Sequence, residues 1–153
     1  MPDGKGSTDD SIEVEDNVEI ILRGPDGEIK QVVKAHNLVT TVGKEKLAEQ
    51  LVAAPGTEKP KYIAVGKTET APVAGNTALG EEVKRKEATT RTASGKVLTM
   101  AVVFAATEAT GAIKEAGIFA ASSAGSMYAR LAFEVINVGA GDSLEIKWTL
   151  TYE

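Results

Sequence analysis

The tripeptide Gly66-Lys67-Thr68 is the first place where residue types and spacing suggest chemistry. In a phosphate-binding P-loop, the pattern G-x-x-x-x-G-K-[ST] lets backbone N–H groups surround a phosphate, and the loop opens a helix. The first glycine of that pattern would stand at position 61, which is Lys61, and the residues after Thr68 lead to Pro72 as in a loop. We therefore predict the end of a buried strand, where Gly66 lets the backbone turn and Lys67 and Thr68 face solvent or a neighbouring subunit.

A single histidine and the absence of cysteine restrict the remaining chemistry. One histidine cannot build a multi-histidine zinc site, and without cysteine there is no thiolate nucleophile and no cysteine-based metal site. His36 stands before Asn37 at the end of a predicted strand, where a local hydrogen bond is the favoured role. The sequence thus predicts no catalytic, cofactor-binding or metal-binding residue. It favours a binding or structural protein over an enzyme.

Glu115, in the stretch IKEAGIF, is the most informative carboxylate. It alternates in phase with Ile113 and Phe119, so it is predicted to point inward. A buried carboxylate needs a partner, and Arg130 or Lys147 on neighbouring strands could supply one. A structural ion pair is favoured over a catalytic acid.

The one basic run, KRKEATTR at 84–91, is flanked by acidic residues and is nearly balanced in charge. A solvated strand face is the first interpretation. The alternative is an acceptor for acidic segments, such as the N-terminal arm of a neighbouring copy. The basic candidates for this interaction are Lys84, Arg85, Lys86 and Arg91.

Charge is concentrated in residues 1–16, which hold six acidic residues and one lysine. Their net charge of −5 equals that of the whole chain, so the body from residue 17 onward is balanced and a strongly basic nucleic-acid-binding surface is disfavoured. The segment is either a solvated tail or an arm that becomes ordered against a partner. Its candidate interaction residues are Asp9, Asp10, Ile12 and Val14.

The chain shows no targeting segment. No apolar run approaches the roughly 18 residues of a membrane span, and the polar, acidic start differs from a signal peptide. We expect no nucleic acid or membrane as a partner, and a protein made and kept in the cytoplasm unless a larger assembly carries it out.

Hydrophobic period and turn residues predict a mostly β single domain over 17–153 behind the arm at 1–16. Strands at 17–23 and 28–36 flank Gly-Pro-Asp-Gly, which is hairpin chemistry. One short helix is predicted at about 43–54, capped by Thr40 or Thr41, with Leu47, Ala48, Leu51 and Val52 on one face. Alternating strands follow from residue 61 to the end, and the predicted architecture is an antiparallel β-sandwich or a partly closed barrel.

Four motifs in order resemble a widespread group of tailed-bacteriophage virion proteins. They are HNLVTTVGKEKLAEQL, YIAVGKTETAPVAGNTALGEEVKRK, EAGIFAASSAGSMYARLAF and DSLEIKWTLTYE, which together span roughly residues 36–153. The resemblance implies a β-rich domain, self-association and no enzymatic activity, and it brings no catalytic residues or cofactor with it.

Members of such a family occur as capsid decoration proteins, commonly trimers, and as attachment parts of tail fibres or baseplates. A chain that ends one residue past its last strand, behind an acidic arm, favours the decoration role with the major capsid protein as partner. The expected location is then the virion. The alternatives are a tail or baseplate attachment protein and a cytoplasmic β-sandwich that binds a ligand.

Overall fold

The computed structural model describes residues 13–52 and 58–153. This part of the chain forms ten strands and one helix. The strands are β1 (Val14–Arg23), β2 (Ile29–Ala35), β3 (Leu38–Val39), β4 (Tyr62–Gly66), β5 (Glu82–Glu87), β6 (Thr90–Ser94), β7 (Val97–Phe104), β8 (Gly111–Phe119), β9 (Met127–Val138) and β10 (Ser143–Tyr152). The helix α1 (Thr41–Gln50) connects β3 to the segment that leads into β4.

The strands form two five-stranded antiparallel sheets. Sheet 1 has the order β2-β1-β10-β7-β6, and sheet 2 has the order β3-β9-β8-β4-β5. Neither sheet closes on itself, which confirms the predicted β-sandwich class rather than a barrel. The polar stretch at 82–94 is divided between the sheets, because β5 pairs with β4 and β6 pairs with β7.

The β1–β2 hairpin follows from its turn residues. Gly27 adopts a φ of 83°, and its N–H donates to the Gly24 carbonyl at 2.9 Å. Pro25 and Asp26 occupy the middle of this turn, as their preset φ and local hydrogen bonding favour. The predicted hairpin is confirmed by the antiparallel pairing of the two strands.

The main core lies between the sheets and is built from alternate residues of each strand. In β10 the inward positions are fully or almost fully buried, as the alternation predicts, and Trp148 is the largest of them. Its indole N–H donates to Asn37 Oδ1 at 2.7 Å, so the polar end of the ring is satisfied. A second, smaller cluster covers the outer face of sheet 2 and contains Ala64, Leu79, Phe119 and Met127.

Thr40 caps the helix, as predicted. Its hydroxyl accepts from the Gly43 N–H at 2.9 Å and donates to the Met127 carbonyl at 2.5 Å. The helix ends at Gln50, before the predicted limit of 54. Leu47, Ala48 and Leu51 share one face, as predicted, because all three line the same groove, but only Leu47 of these is partly buried. Ala48 is exposed, and Leu51 and Val52 are 87% and 89% exposed.

The N-terminal boundary also differs from the prediction. β1 begins at Val14, and residues 14–16 pair with β10, so they belong to sheet 1 rather than to an arm. The other arm candidates, Asp9, Asp10 and Ile12, lie outside the described residues. No helix in the described ranges is long and apolar enough to cross a membrane.

Candidate functional site

The Glu115 carboxylate lies at the centre of the most densely bonded polar cluster of the described chain. Its side chain is completely buried, as the sequence predicted. Its orientation differs from the prediction, because the β8–β9 register shifts between Ile113 and Glu115. Ile113 belongs to the core between the sheets, whereas Glu115 alternates with the core residues Ala116 and Ile118. Glu115 therefore points to the outer face of sheet 2.

Five N–H donors surround this carboxylate. Oε2 accepts from the backbone N–H groups of Thr68 at 2.9 Å and Glu81 at 3.0 Å. Oε1 accepts from the Gly80 N–H at 3.0 Å and from Arg130, whose Nη2 and Nε lie 3.0 and 3.3 Å away. Both ends of the segment 67–81 are thereby attached to one side chain of sheet 2.

Arg130 and Lys147 were the two partners predicted for Glu115. Arg130 binds the carboxylate and Lys147 does not. Arg130 is only 2% exposed, and its Nη1 also donates to Asn76 Oδ1 at 3.2 Å. Lys147 is exposed on β10 in the other sheet, opposite Glu19. Both members of the Glu115–Arg130 pair are therefore buried and hydrogen-bonded, and a buried ion pair requires such hydrogen bonds for stability.

Burial alone raises the pKa of Glu115, but its hydrogen bonds outweigh that effect. The N–H groups of Glu81, Thr68 and Gly80 and the Arg130 guanidinium all favour the ionised form, so the pKa lies below its ordinary value of 4.5. A general acid needs the opposite shift, toward the working pH. The geometry therefore supports a structural carboxylate.

Gly66 is needed for this arrangement because the carboxylate occupies the space where a side chain would lie. A Cβ added to Gly66 would lie 2.5 Å from both Glu115 Oε2 and the Glu81 carbonyl oxygen. The expected role of Gly66, to let the backbone turn, is not its main one. The stretch that resembles a P-loop does direct a backbone N–H, that of Thr68, at an anion, but the anion is the protein's own carboxylate.

The segment 67–81 is held at its middle as well. The Asn76 side chain accepts from the Val73 N–H at 2.9 Å, and the Asn76 N–H donates back to the Val73 carbonyl at 3.0 Å. The Ala74 carbonyl accepts from the Thr41 N–H at the start of the helix, at 2.8 Å. A segment without regular secondary structure is thus fixed over sheet 2 by specific bonds, while Val73 at its tip is 57% exposed.

Most of the basic residues at 84–91 bond within the chain. Arg85 stacks on the Phe119 ring at 3.6 Å from the centroid and pairs with Glu82 at 2.8 Å. Lys86 pairs with Glu108 at 2.8 Å, and Arg91 Nε donates to the Pro60 carbonyl at 3.1 Å. Lys84 is exposed. The four do not form one basic surface, because Arg91 lies on sheet 1 and the others on sheet 2.

His36 makes a hydrogen bond at the strand end, but its partner, Asp16 of β1, is 20 positions away rather than local as predicted. Its Nδ1 lies 3.2 Å from the Asp16 carbonyl oxygen, and the side chain is 85% exposed. The Asp16 carboxylate accepts from the Asn37 N–H at 2.5 Å. Neither residue is arranged to activate a nucleophile.

An open groove of about 750 Å³ lies between the helix and the ends of β1 and β10. Its lining is mainly apolar, and the sequence did not predict it because its walls come from distant segments. The residues that line it include Val14, Leu38, Val39, Leu47, Leu51 and Tyr152. Its one carboxylate, Asp16, already binds the Asn37 backbone, so the groove can take an apolar group but has no activated side chain.

No group of three or more potential ligand side chains in the described ranges could hold a metal ion. Comparison with family models, with curated proteins and with solved structures found no match to this chain.

Proposed function

We propose that this chain is a non-enzymatic structural protein of a tailed-bacteriophage particle, and specifically a head decoration protein that binds the outer surface of the major capsid protein as a trimer. The supporting observation is the position of the four motifs that resemble the virion family. Glu115 of EAGIF binds Thr68 of the AVGKT stretch and Arg130 of YARLAF. Asn37, which precedes LVTT, accepts from Trp148 of the last strand.

These motifs thus contribute the buried framework of the domain, and residues of the first and last of them, such as Leu38, Leu47 and Tyr152, also line the apolar groove. Motifs that form such a framework can resemble those of the virion family over several strands, without any catalytic residue among them. A buried framework also suits a structural protein that keeps its conformation when it binds. The segment 67–81 and the apolar groove are then the surfaces available for contact with the shell or with neighbouring copies.

A decoration protein acts through many weak contacts that repeat over a shell, so avidity replaces the affinity of any one contact. A rigid domain suits this task, because little conformational entropy is lost when each contact forms. The fixed segment 67–81 supplies that rigidity on one face of the sandwich.

Negative-stain images of particles of the encoding phage, labelled with an antibody against this protein, test the proposal. Label spread over the head supports decoration, and its loss from particles that lack the gene serves as the control. Label confined to the tail would replace decoration with the tail or baseplate role. Particles without label, together with the protein in the soluble fraction, would show that the proposal is wrong.

A further inference from the structure

The four edges of the two sheets differ in how they are guarded. An edge strand exposes unpaired N–H and C=O groups, and natural proteins guard it with bulges, charged residues or a very short strand. β2 has a register shift at its hairpin end and carries Lys30 and Lys34. β5 is highly charged and its pairing also shifts, between Val65 and Gly66, while β3 has only two residues.

β6 is guarded only by a single charged residue. Its five residues are all exposed, its pairing with β7 runs without a register shift, and it contains neither proline nor lysine. Its one charged residue, Arg91, is bonded to the Pro60 carbonyl. Within residues 13–52 and 58–153, no strand pairs with the outer edge of β6.

We propose that β6 is an interface between copies of this chain, in which the β6 strands of two copies pair antiparallel about a two-fold axis at Thr92. In that register Thr92 lies opposite Thr92 of the second copy, and Thr90 lies opposite Ser94. Thr–Thr and Thr–Ser are favourable cross-strand pairs. Arg91 lies opposite Ala93, so the two arginines are not placed directly across from each other.

The rest of sheet 1 is compatible with this pairing. Thr92 lies opposite Thr99 of β7, which lies opposite Thr149 of β10, so a row of threonines would continue across both copies. Beside β6, a groove of about 360 Å³ is lined by Arg91, Ala93, Leu98 and Met100, together with Gln50, Lys59, Pro60 and Thr92. An added strand would cover this groove with its own Arg91 and Ala93.

Five paired residues make a small interface, so the contact is weak and reversible for isolated chains. A two-fold pairing joins two copies, so it cannot by itself build the proposed trimer. The inference concerns copies in solution and does not depend on where the protein works.

Cysteine crosslinking tests the pairing directly, because the chain contains no cysteine. Directly opposite residues of antiparallel strands have Cα atoms about 4.5–5.5 Å apart, which is within disulfide range. Under mild oxidation, T92C is expected to form a two-chain species about tenfold faster or more than K34C, because strand pairing raises the effective concentration of the thiols. K34C is the matched control, since Lys34 is also exposed on an edge strand of sheet 1.

A second variant separates pairing from chance collision. T92K places two like charges across the axis. It is expected to abolish the concentration-dependent dimer that the proposal predicts for the wild-type protein in sedimentation velocity, whereas T92S is expected to retain that dimer. Circular dichroism of both variants checks that they are folded. Equal crosslinking rates for T92C and K34C, or a dimer that persists in T92K, would overturn the proposal.

Discussion

Gly66 lies so close to the Glu115 carboxylate that any added side chain would require this carboxylate or the Glu81 backbone to move. A Cβ at position 66 would lie 2.5 Å from Glu115 Oε2, whereas a Cβ at Gly75, in the segment that Glu115 holds, would meet nothing within 4 Å. The absence of a side chain at 66 allows the carboxylate to reach the Thr68 and Glu81 N–H groups. This contact explains the glycine of AVGKT without a phosphate.

The first prediction follows from that contact. Gly66→Ala is expected to lower the free energy of unfolding by about 1–3 kcal/mol, because the added methyl group must displace a buried, fully bonded carboxylate or the backbone at Glu81. Urea denaturation measures the change. Gly75→Ala is the control and should change the stability by less than about 0.5 kcal/mol. Equal effects of the two substitutions would contradict the role given to Gly66.

The second prediction concerns the buried pair. Glu115→Leu is expected to destabilise the fold by about 3–5 kcal/mol, because it leaves the Arg130 guanidinium buried without its counter-charge. Arg130→Met should be similarly severe, since it leaves the carboxylate uncompensated. The double variant is expected to be clearly more stable than the sum of the two losses predicts. Additive losses in denaturant titrations would mean that the two side chains act independently.

The third prediction is a pH dependence. The folded-state pKa of Glu115 lies below 4.5, so its contribution to stability is fully present above that pH and is lost as the pH falls through the folded-state pKa. Glu58, Glu108 and Asp142 also have lowered pKa values and add to the acid sensitivity of the wild-type protein. The difference in stability between wild type and Glu115→Gln isolates Glu115, and it should shrink on acidification. A difference that is constant from pH 7 to the acid transition would contradict the assignment.

The fourth prediction concerns two acidic residues at the end of sheet 1. The pKa of Glu15 is raised, because its carboxyl shares a hydrogen bond with Glu153 and is repelled by that charge. A raised pKa means that the ionised group opposes folding, so Glu15→Gln is expected to increase the melting temperature at neutral pH, with the gain disappearing at acid pH. Glu19→Gln is the control on the same strand. Because Glu19 lies opposite Lys147, its neutralisation should give no such gain.

The fifth prediction rests on the proposed function and on the observed start of β1. Deleting residues 1–12 removes three of the six acidic residues of the segment 1–16 while keeping the pairing of Val14 with Tyr152. The truncated protein is expected to keep its melting temperature and to bind capsids more weakly in a co-sedimentation assay. Deletion through residue 16 would cut into sheet 1 and is not a clean test. Unchanged capsid binding by the shorter deletion would show that the acidic segment is not an attachment arm.

Local patterns predicted several features correctly. Period-two alternation identified the inward residues of β10, and Pro-Asp-Gly identified the first hairpin. The capping preference of threonine identified Thr40 at the start of the helix. Each of these depends on residues close together in sequence, where backbone preference and side-chain direction are set by neighbours.

Features that depend on distant segments were missed or partly wrong. The Thr68, Gly80 and Glu81 donors are 34–47 positions from Glu115, and no periodicity relates them. The basic run at 84–91 was interpreted first as a solvated strand face, but Arg85 and Lys86 pair with Glu82 and Glu108 within the chain. Glu115 itself indicated that such donors exist, because a buried carboxylate requires hydrogen-bond donors. The sequence alone could not identify the three backbone donors.

The sequence by itself determined a β-rich, cysteine-free domain with one capped helix, a first hairpin, and a buried glutamate that needed a basic partner. Only the tertiary structure decided that this partner is Arg130, which face of sheet 2 the glutamate occupies, which backbone it binds, and which strands lie at the sheet edges. The reason is physical. Alternation sets whether a residue is buried, but a register shift reverses its face, and the partners across sheets and loops come from packing of the whole chain.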